Sequence, residues 1–188
     1  STATRASGEG DFLLPVRRLS PRYLTIGEWW NILYRADQAY LSPSRREIRV
    51  SCHRDTNVWC AAMGTLIATT GIDVKDLLSA KPGLVLARDV ELHGEVWRWI
   101  ERLLRRRQRV GIRGPHFPLF VSVRPHNTGV QVSRDIATVR LRSWARNLKA
   151  GPLRWKMLRG TDGADGLMRV KLTQRKRETL LRMAGVDG

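Results

Sequence analysis

Thr70-Gly71-Ile72-Asp73, with Asp76 three residues on, is the stretch whose residue types invite a chemical reading. Two carboxylates at this spacing stand one turn apart on a short helix, where they can ligate a metal or divide acid and base work. A two-metal site needs further acids, and Glu91, Glu95 and Glu101 read as helix-start and surface charges elsewhere. The spacing fits a structural reading better, with Asp73 an N-cap and Asp76 the partner of an arginine. No Walker loop, Ser/His/Asp arrangement or dinucleotide fingerprint is present. Cys52 and Cys60 have seven residues between them, with His53 beside the first, and His93, His116 and His126 are scattered singly. That is not a zinc spacing. No metal and no cofactor is expected, and the two cysteines read as free, buried or half-buried thiols.

The other chemistry is charge. The 188 residues carry 34 bases against 17 acids, a formal net charge of +17; six bases are lysine, leaving 28 arginines. A GC-rich genome would trade lysine for arginine but would not double bases over acids. Arginine forks onto phosphate bidentately and stacks on bases, so the balance predicts a polyanionic partner, nucleic acid first. Three clusters carry the expected contacts. Arg134, Arg140, Arg142, Arg146 and Lys149 belong to a helix opened by Ser133. Arg154, Lys156 and Arg159 continue the charge, with Trp155 interleaved as a stacking or a core residue. Arg169, Lys171, Arg175, Lys176 and Arg177 form the densest run, and Lys81 stands apart in a turn. A basic stripe is ordinarily a solvated face; phosphate contact is preferred here because the charge runs on into the next segment. The Arg105-Arg106-Arg107-Gln108-Arg109 knot is read as helix C-terminal charge.

Helices must position these residues. Residues 1–20 read as a flexible N-terminal segment, anchored by Asp11-Phe12-Leu13-Leu14, and 21–188 as one domain. Thr25 and Glu28 form a capping box for a helix whose buried face is Trp29, Ile32, Leu33 and Ala36. Arg45 to Arg54 is a basic connector, and Asp55 caps a central, small-residue helix that ends at the Gly71 turn. Val74 to Leu78 is a further short helix. Lys81-Pro82-Gly83 reads as a turn and Val85 to Leu92 as a strand or edge hairpin. Gly94 to Arg107 is a strong helix with Val96, Ile100, Leu103 and Leu104 inward and Trp97 and Trp99 on its shoulders. Pro118 to Val123 is a buried extended segment. Ser133 to Leu148 is a helix striped by Ala137, Leu141, Trp144 and Leu148. After a loop at Gly160 to Gly166 and a short extended piece at Leu167 to Val170, Thr173 to Ala184 closes the chain as a basic helix. The expected class is mainly α with a small β element.

The order of these phrases resembles the catalytic domain of the tyrosine recombinase (phage integrase) family over roughly Tyr23 to Asp187. The matching phrases are Leu24-Thr25 to Glu28, Thr70-Gly71-Ile72, Arg88-Asp89-Val90-Glu91-Leu92, Pro118-Leu119-Phe120-Val121-Ser122 and Leu180-Leu181 to Asp187. The resemblance implies a recombinase-like helical fold and a DNA-holding surface. The departures remove its chemistry. Asp73 stands where the family has its phosphate-clamping arginine, with Asp76 in the place of the family's acid. The His-x-x-Arg box counts back to Lys171 and Gln174, with Arg175 one residue away, and Lys81 is the nearest candidate for the β-region lysine. The only tyrosines are Tyr23, Tyr34 and Tyr40, and none follows the last helix before Gly188. A carboxylate facing a phosphate repels where the arginine would attract.

The expectation is therefore a non-catalytic, degenerate recombinase-like protein that binds double-stranded DNA, as repressor, recombination accessory or architectural factor of a mobile element. A homo-oligomer or a recombinase partner is compatible with it. Two readings stand beside it: a piece of an active recombinase whose tyrosine lies beyond residue 188, and a basic RNA-binding component of unrelated helical fold. No apolar run reaches a membrane-spanning length and no apolar leader opens the sequence, which places the expected site of action inside the cell.

Overall fold

A computed structural model describes residues 23–43, 51–87, 91–159, 161 and 169–186. The N-terminal anchor, most of the Arg45–Arg54 connector, the Arg88-Asp89-Val90 phrase and the loop after Arg159, Thr161 excepted, lie outside the described residues. The elements are α1 (Ile26–Leu41), α2 (Ser51–Thr70), α3 (Val74–Ser79), α4 (Pro82–Val85), β1 (Glu91–His93), α5 (Gly94–Arg109), α6 (Arg134–Asn147), α7 (Trp155–Arg159), β2 (Arg169–Lys171) and α8 (Gln174–Met183). The described chain is mostly helical, with one two-stranded antiparallel ladder that sets Glu91 opposite Lys171 and His93 opposite Arg169.

α2 is the axis of the core, with α1, α3, α5, α6 and α7 all packed against it. Its run from Asp55 to Ala68 is buried without a break: from Val58 on its side chains are small or apolar, and Asp55 and Asn57 at its head are partnered from α5, α6 and α1. Gly64 lets α1 come close: a Cβ there would stand 2.5 Å from a ring carbon of Trp29. α1 opens on the expected capping box, with Glu28 N–H donating to Thr25 Oγ1 at 3.2 Å and Thr25 N–H to Glu28 Oε2 at 2.9 Å. Trp29, Ile32, Leu33 and Ala36 are its buried face.

Four local expectations fail. Asp55 is no cap: α2 starts at Ser51, and Asp55 lies within it, 3% exposed, facing Arg106 of α5. The strand expected over Val85 to Leu92 fails at its start, because Pro82 opens the one-turn α4 that ends at Val85, as proline at a first helical position does; residues 88–90 lie outside the described residues, and Glu91–His93 is strand. Its partner is β2, distant in sequence, rather than a local hairpin. Trp97 and Trp99 are not on shoulders; both are buried. Asp76 is exposed and has no ion pair among the described residues, where an arginine was expected.

Candidate nucleic-acid interface

α6 is placed by its apolar stripe. Ser133 Oγ accepts from Ile136 N–H at 3.2 Å to start the helix, and Ala137, Leu141, Trp144 and Ala145 turn inward. Trp144 Nε1 donates to Asn57 Oδ1 at 2.8 Å, and Asn57 Nδ2 donates to Ala36 O at 2.9 Å. One buried amide thus fixes the rotation of α6 against α2 and α1. That rotation leaves Arg142 and Arg146 exposed, four residues apart, with no ion-pair partner among the described residues. Arg134 is exposed at the helix start. Beyond the helix end Lys149 adopts φ +53, a left-handed conformation that side chains other than glycine and asparagine seldom take. Arg35 Nη1 holds this turn by donating to Leu148 O at 3.3 Å and Lys149 O at 2.9 Å. Lys149 itself stays exposed.

α7 buries Trp155, Met157 and Leu158 against the core and exposes Lys156 and Arg159, with Arg154 exposed just before it. Trp155 is therefore a core residue. α7 stands over the Gly71 turn, where Gly71 has φ +71, the conformation a helix-stopping glycine supplies. Asp73 caps α3, its Oδ1 accepting from Lys75 N–H at 2.9 Å. Its Oδ2 lies 3.1 Å from Arg159 Nη1, and Arg159 Nε donates to Gly71 O at 3.0 Å. A pocket of about 50 Å3 is lined here by Ile67, Ile72, Asp73, Arg134, Lys156 and Arg159. Sequence counting missed this convergence. The pair brought to the Asp73 turn is Lys156 and Arg159, three apart, and not Lys171 and Gln174. Lys171 belongs to the β ladder, and Gln174 Nε2 donates to Glu178 at 2.6 Å.

Arg140 leaves the set of phosphate contacts. It is 4% exposed, donates from Nη2 to Ser122 Oγ at 3.1 Å, and stacks 4.9 Å over Trp59. Burial first, and Arg124 second, pull its pKa below the ordinary arginine value. Its place was readable: position 140 is three after Ala137 and four before Trp144, on the apolar stripe itself.

The C-terminal cluster is divided. α8, capped by Thr173, docks on α5, where Lys176 Nζ lies 2.6 Å from Glu101 Oε2. Arg177 donates to Gln174, and Arg175 is exposed without an ion-pair partner among the described residues. The backbones of Arg169 and Lys171 form β2, and their side chains lie outside the described residues. Lys81 is exposed at the head of α4.

The α5 arginines, Arg109 excepted, are engaged. Arg98 Nη2 and Arg102 Nη1 approach Asp37 Oδ1 at 3.0 and 2.6 Å, and Arg105 Nη2 lies 2.7 Å from Glu101 Oε1. Arg106 Nη2 donates to Asp55 Oδ2 at 3.1 Å, while its Nε sits 2.6 Å from Oδ1, off the hydrogen-bonding direction. Arg107 is fully buried; its Nη1 donates to Leu119 O at 2.8 Å and to Pro118 O. Burial with no facing carboxylate pulls its pKa down to about 10, so it is still charged at neutral pH.

Cys60 is buried, and desolvation drives its thiol pKa far up, which keeps it protonated and unreactive. Among the described residues no three His, Cys, Asp or Glu side chains converge as a metal site, and no helix is long and apolar enough to cross a membrane. Compared with protein-family models, curated proteins and solved structures, the chain gives no match.

Proposed function

We propose that this chain holds duplex DNA along α6 and α7 without cutting it, on a degenerate tyrosine recombinase-like domain acting inside the cell. One observation carries the reading: Arg134, Arg142, Arg146, Lys149, Arg154 and Lys156 are exposed and have no ion-pair partner among the described residues, whereas most α5 arginines are paired or buried. A cation left unpaired on a protein this basic is free to neutralise a phosphate and release its counterion. Lys149, held outward by a backbone conformation that glycine would adopt at less cost, adds support.

The turn at Asp73 is why cleavage is not part of the proposal. Arg159 and Lys156 could meet a phosphate there, but Asp73 holds Arg159 in an ion pair and presents negative charge at the same spot. Phosphoryl transfer also needs a nucleophile. Tyr34 and Tyr40 are on α1 and Tyr23 just precedes it, and no contact joins any of them to this pocket among the described residues. Such a protein serves as repressor, accessory or architectural factor, alone, as a homo-oligomer, or beside an active recombinase.

The test is binding to random duplex DNA, single-stranded DNA and structured RNA across a salt series, with Arg142→Ala/Arg146→Ala beside the wild type. The expected result is preference for duplex DNA and a salt slope shallower by roughly 0.9 for each lost phosphate contact. RNA winning at every salt concentration, or a double variant indistinguishable from wild type, overturns it.

A further inference from the structure

A second group of arginines converges where α1, α2 and α5 meet. A cavity of about 80 Å3 opens between the end of α1, the start of α2 and the last turns of α5, lined by Arg54, Arg102, Arg105, Arg106 and Arg109 with Asp55 and Tyr40. Five guanidiniums face one carboxylate. The neighbouring acids do not restore the balance, because each is shared. Asp37 serves Arg98 and Arg102, and Glu101 serves Arg105 and Lys176. Arg54 and Arg109 are exposed and have no ion pair among the described residues. The α5 carbonyl end answers some of this charge, but a helix terminus supplies only about half an elementary charge, against the two unpaired guanidiniums of Arg54 and Arg109. Arg54 lies in the first turns of the 20-residue α2, whose amide end adds positive potential at the same mouth.

The cavity is also stiff. Arg102 sits in the corner between two edge-to-face rings, its guanidinium carbon 4.0 Å from the Tyr40 ring centre and 4.5 Å from that of Trp99, while Asp37 fixes its Nη1. Arg106 is held by Asp55, itself buried. Two donors are therefore fixed in place before any ligand arrives, and Arg54, Arg105 and Arg109 can close from the rim. Guanidiniums fixed this way match the oxygens of a phosphate, which they take in pairs.

We infer that this cavity binds a terminal phosphate or diphosphate group, independently of the α6–α7 face. Two sources offer that chemistry: a phosphorylated nucleic-acid end and a free diphosphate. Calorimetric titration of the full chain with inorganic pyrophosphate tests it, followed by competition with a duplex bearing either a 5′-phosphate or a 5′-hydroxyl. Arg54→Ser/Arg109→Ser is the diagnostic variant, since both side chains are exposed and neither supports the core. Saturable one-site binding is expected, weakened roughly tenfold or more in that variant, as loss of a charge-assisted hydrogen bond implies. Arg142→Ala/Arg146→Ala should bind pyrophosphate as wild type does, so failure of the duplex reading leaves this result standing. Displacement by the 5′-phosphorylated duplex alone assigns the group to a nucleic-acid end. Displacement by neither assigns it to a free diphosphate. Absence of saturable binding, unchanged binding in Arg54→Ser/Arg109→Ser, or equal displacement by both duplexes overturns the site.

Discussion

α5 and the α6–α7 face are both rich in arginine, yet they treat it differently. Along α5, Arg98, Arg102, Arg105 and Arg106 each meet a carboxylate, and Arg107 is inside the protein with carbonyl oxygens for partners. Along α6 and α7 the exposed cations have no ion-pair partner among the described residues, Arg159 with Asp73 excepted. The first arrangement uses arginine as an internal fastener. The second leaves a positive surface that the acids among the described residues do not match. The difference shows that net charge alone says little about where a polyanion binds: what matters is which cations the fold has already matched.

The contrast can be broken most severely at Arg107. Arg107→Ala strands the Pro118 and Leu119 carbonyls and opens a cavity, and about 3 kcal/mol of stability is expected to go. Thermal unfolding should show it as a fall of roughly 6–10 °C, while Arg146→Ala stays within about 0.5 kcal/mol of wild type. Next comes binding. Arg142→Ala/Arg146→Ala should flatten the salt dependence by roughly two units and cost about tenfold in duplex affinity at low salt. Arg98→Ala removes a formal charge from α5 away from the arginine-lined cavity and should alter that slope little, because that guanidinium is already paired with Asp37 and Glu95. A smaller change sharpens the exception. Asp73→Asn keeps an N-cap of equal quality but releases Arg159, so duplex affinity should rise about threefold with helix content unchanged.

The smallest effect is acid sensitivity at Glu101. Hydrogen bonds from Lys176 first and Arg105 second hold its pKa below the ordinary carboxylate value. A carboxylate depressed in the folded state stabilises above its unfolded pKa and loses that contribution as pH falls through the folded one. Chemical denaturation between pH 6 and pH 3 should therefore show a slightly gentler loss of stability in Glu101→Gln than in wild type.

Much of the helical frame was legible. The Thr25–Glu28 box, the Gly71 stop, the Ser133 and Thr173 starts and the apolar stripes of α1 and α6 follow from local rules that the tertiary structure does not override. The charged residues were read less well, for a physical reason. Pattern reading sends every charge to the surface, yet Arg107 is three after Leu104 and Arg140 three after Ala137, both on the buried stripe. A long side chain can lie there if it ends on oxygens or a ring, as these two do. Asp55 misled differently. Its residue type suits a cap, and only the arrival of Arg106 from 51 positions away explains an acid inside a helix. The convergence of Arg134, Lys156 and Arg159 on Asp73 was invisible for the same reason, since three separate elements supply it.

The two short strands carry one more consequence. β1 and β2 pair residues as far apart as Glu91 and Lys171, so the ladder closes a loop of about 80 positions containing α5, α6 and α7. Closing a flexible loop of that length costs roughly 4 kcal/mol of chain entropy, which a three-residue ladder alone does not return. β2 and α8 are therefore expected to join last during folding, once the α2 core has already shortened the loop, and to be the first to leave. Amide protons of Val170 and of α8 should exchange through a local opening that never disturbs α2, making the C-terminal basic helix a separately detachable unit of the molecule.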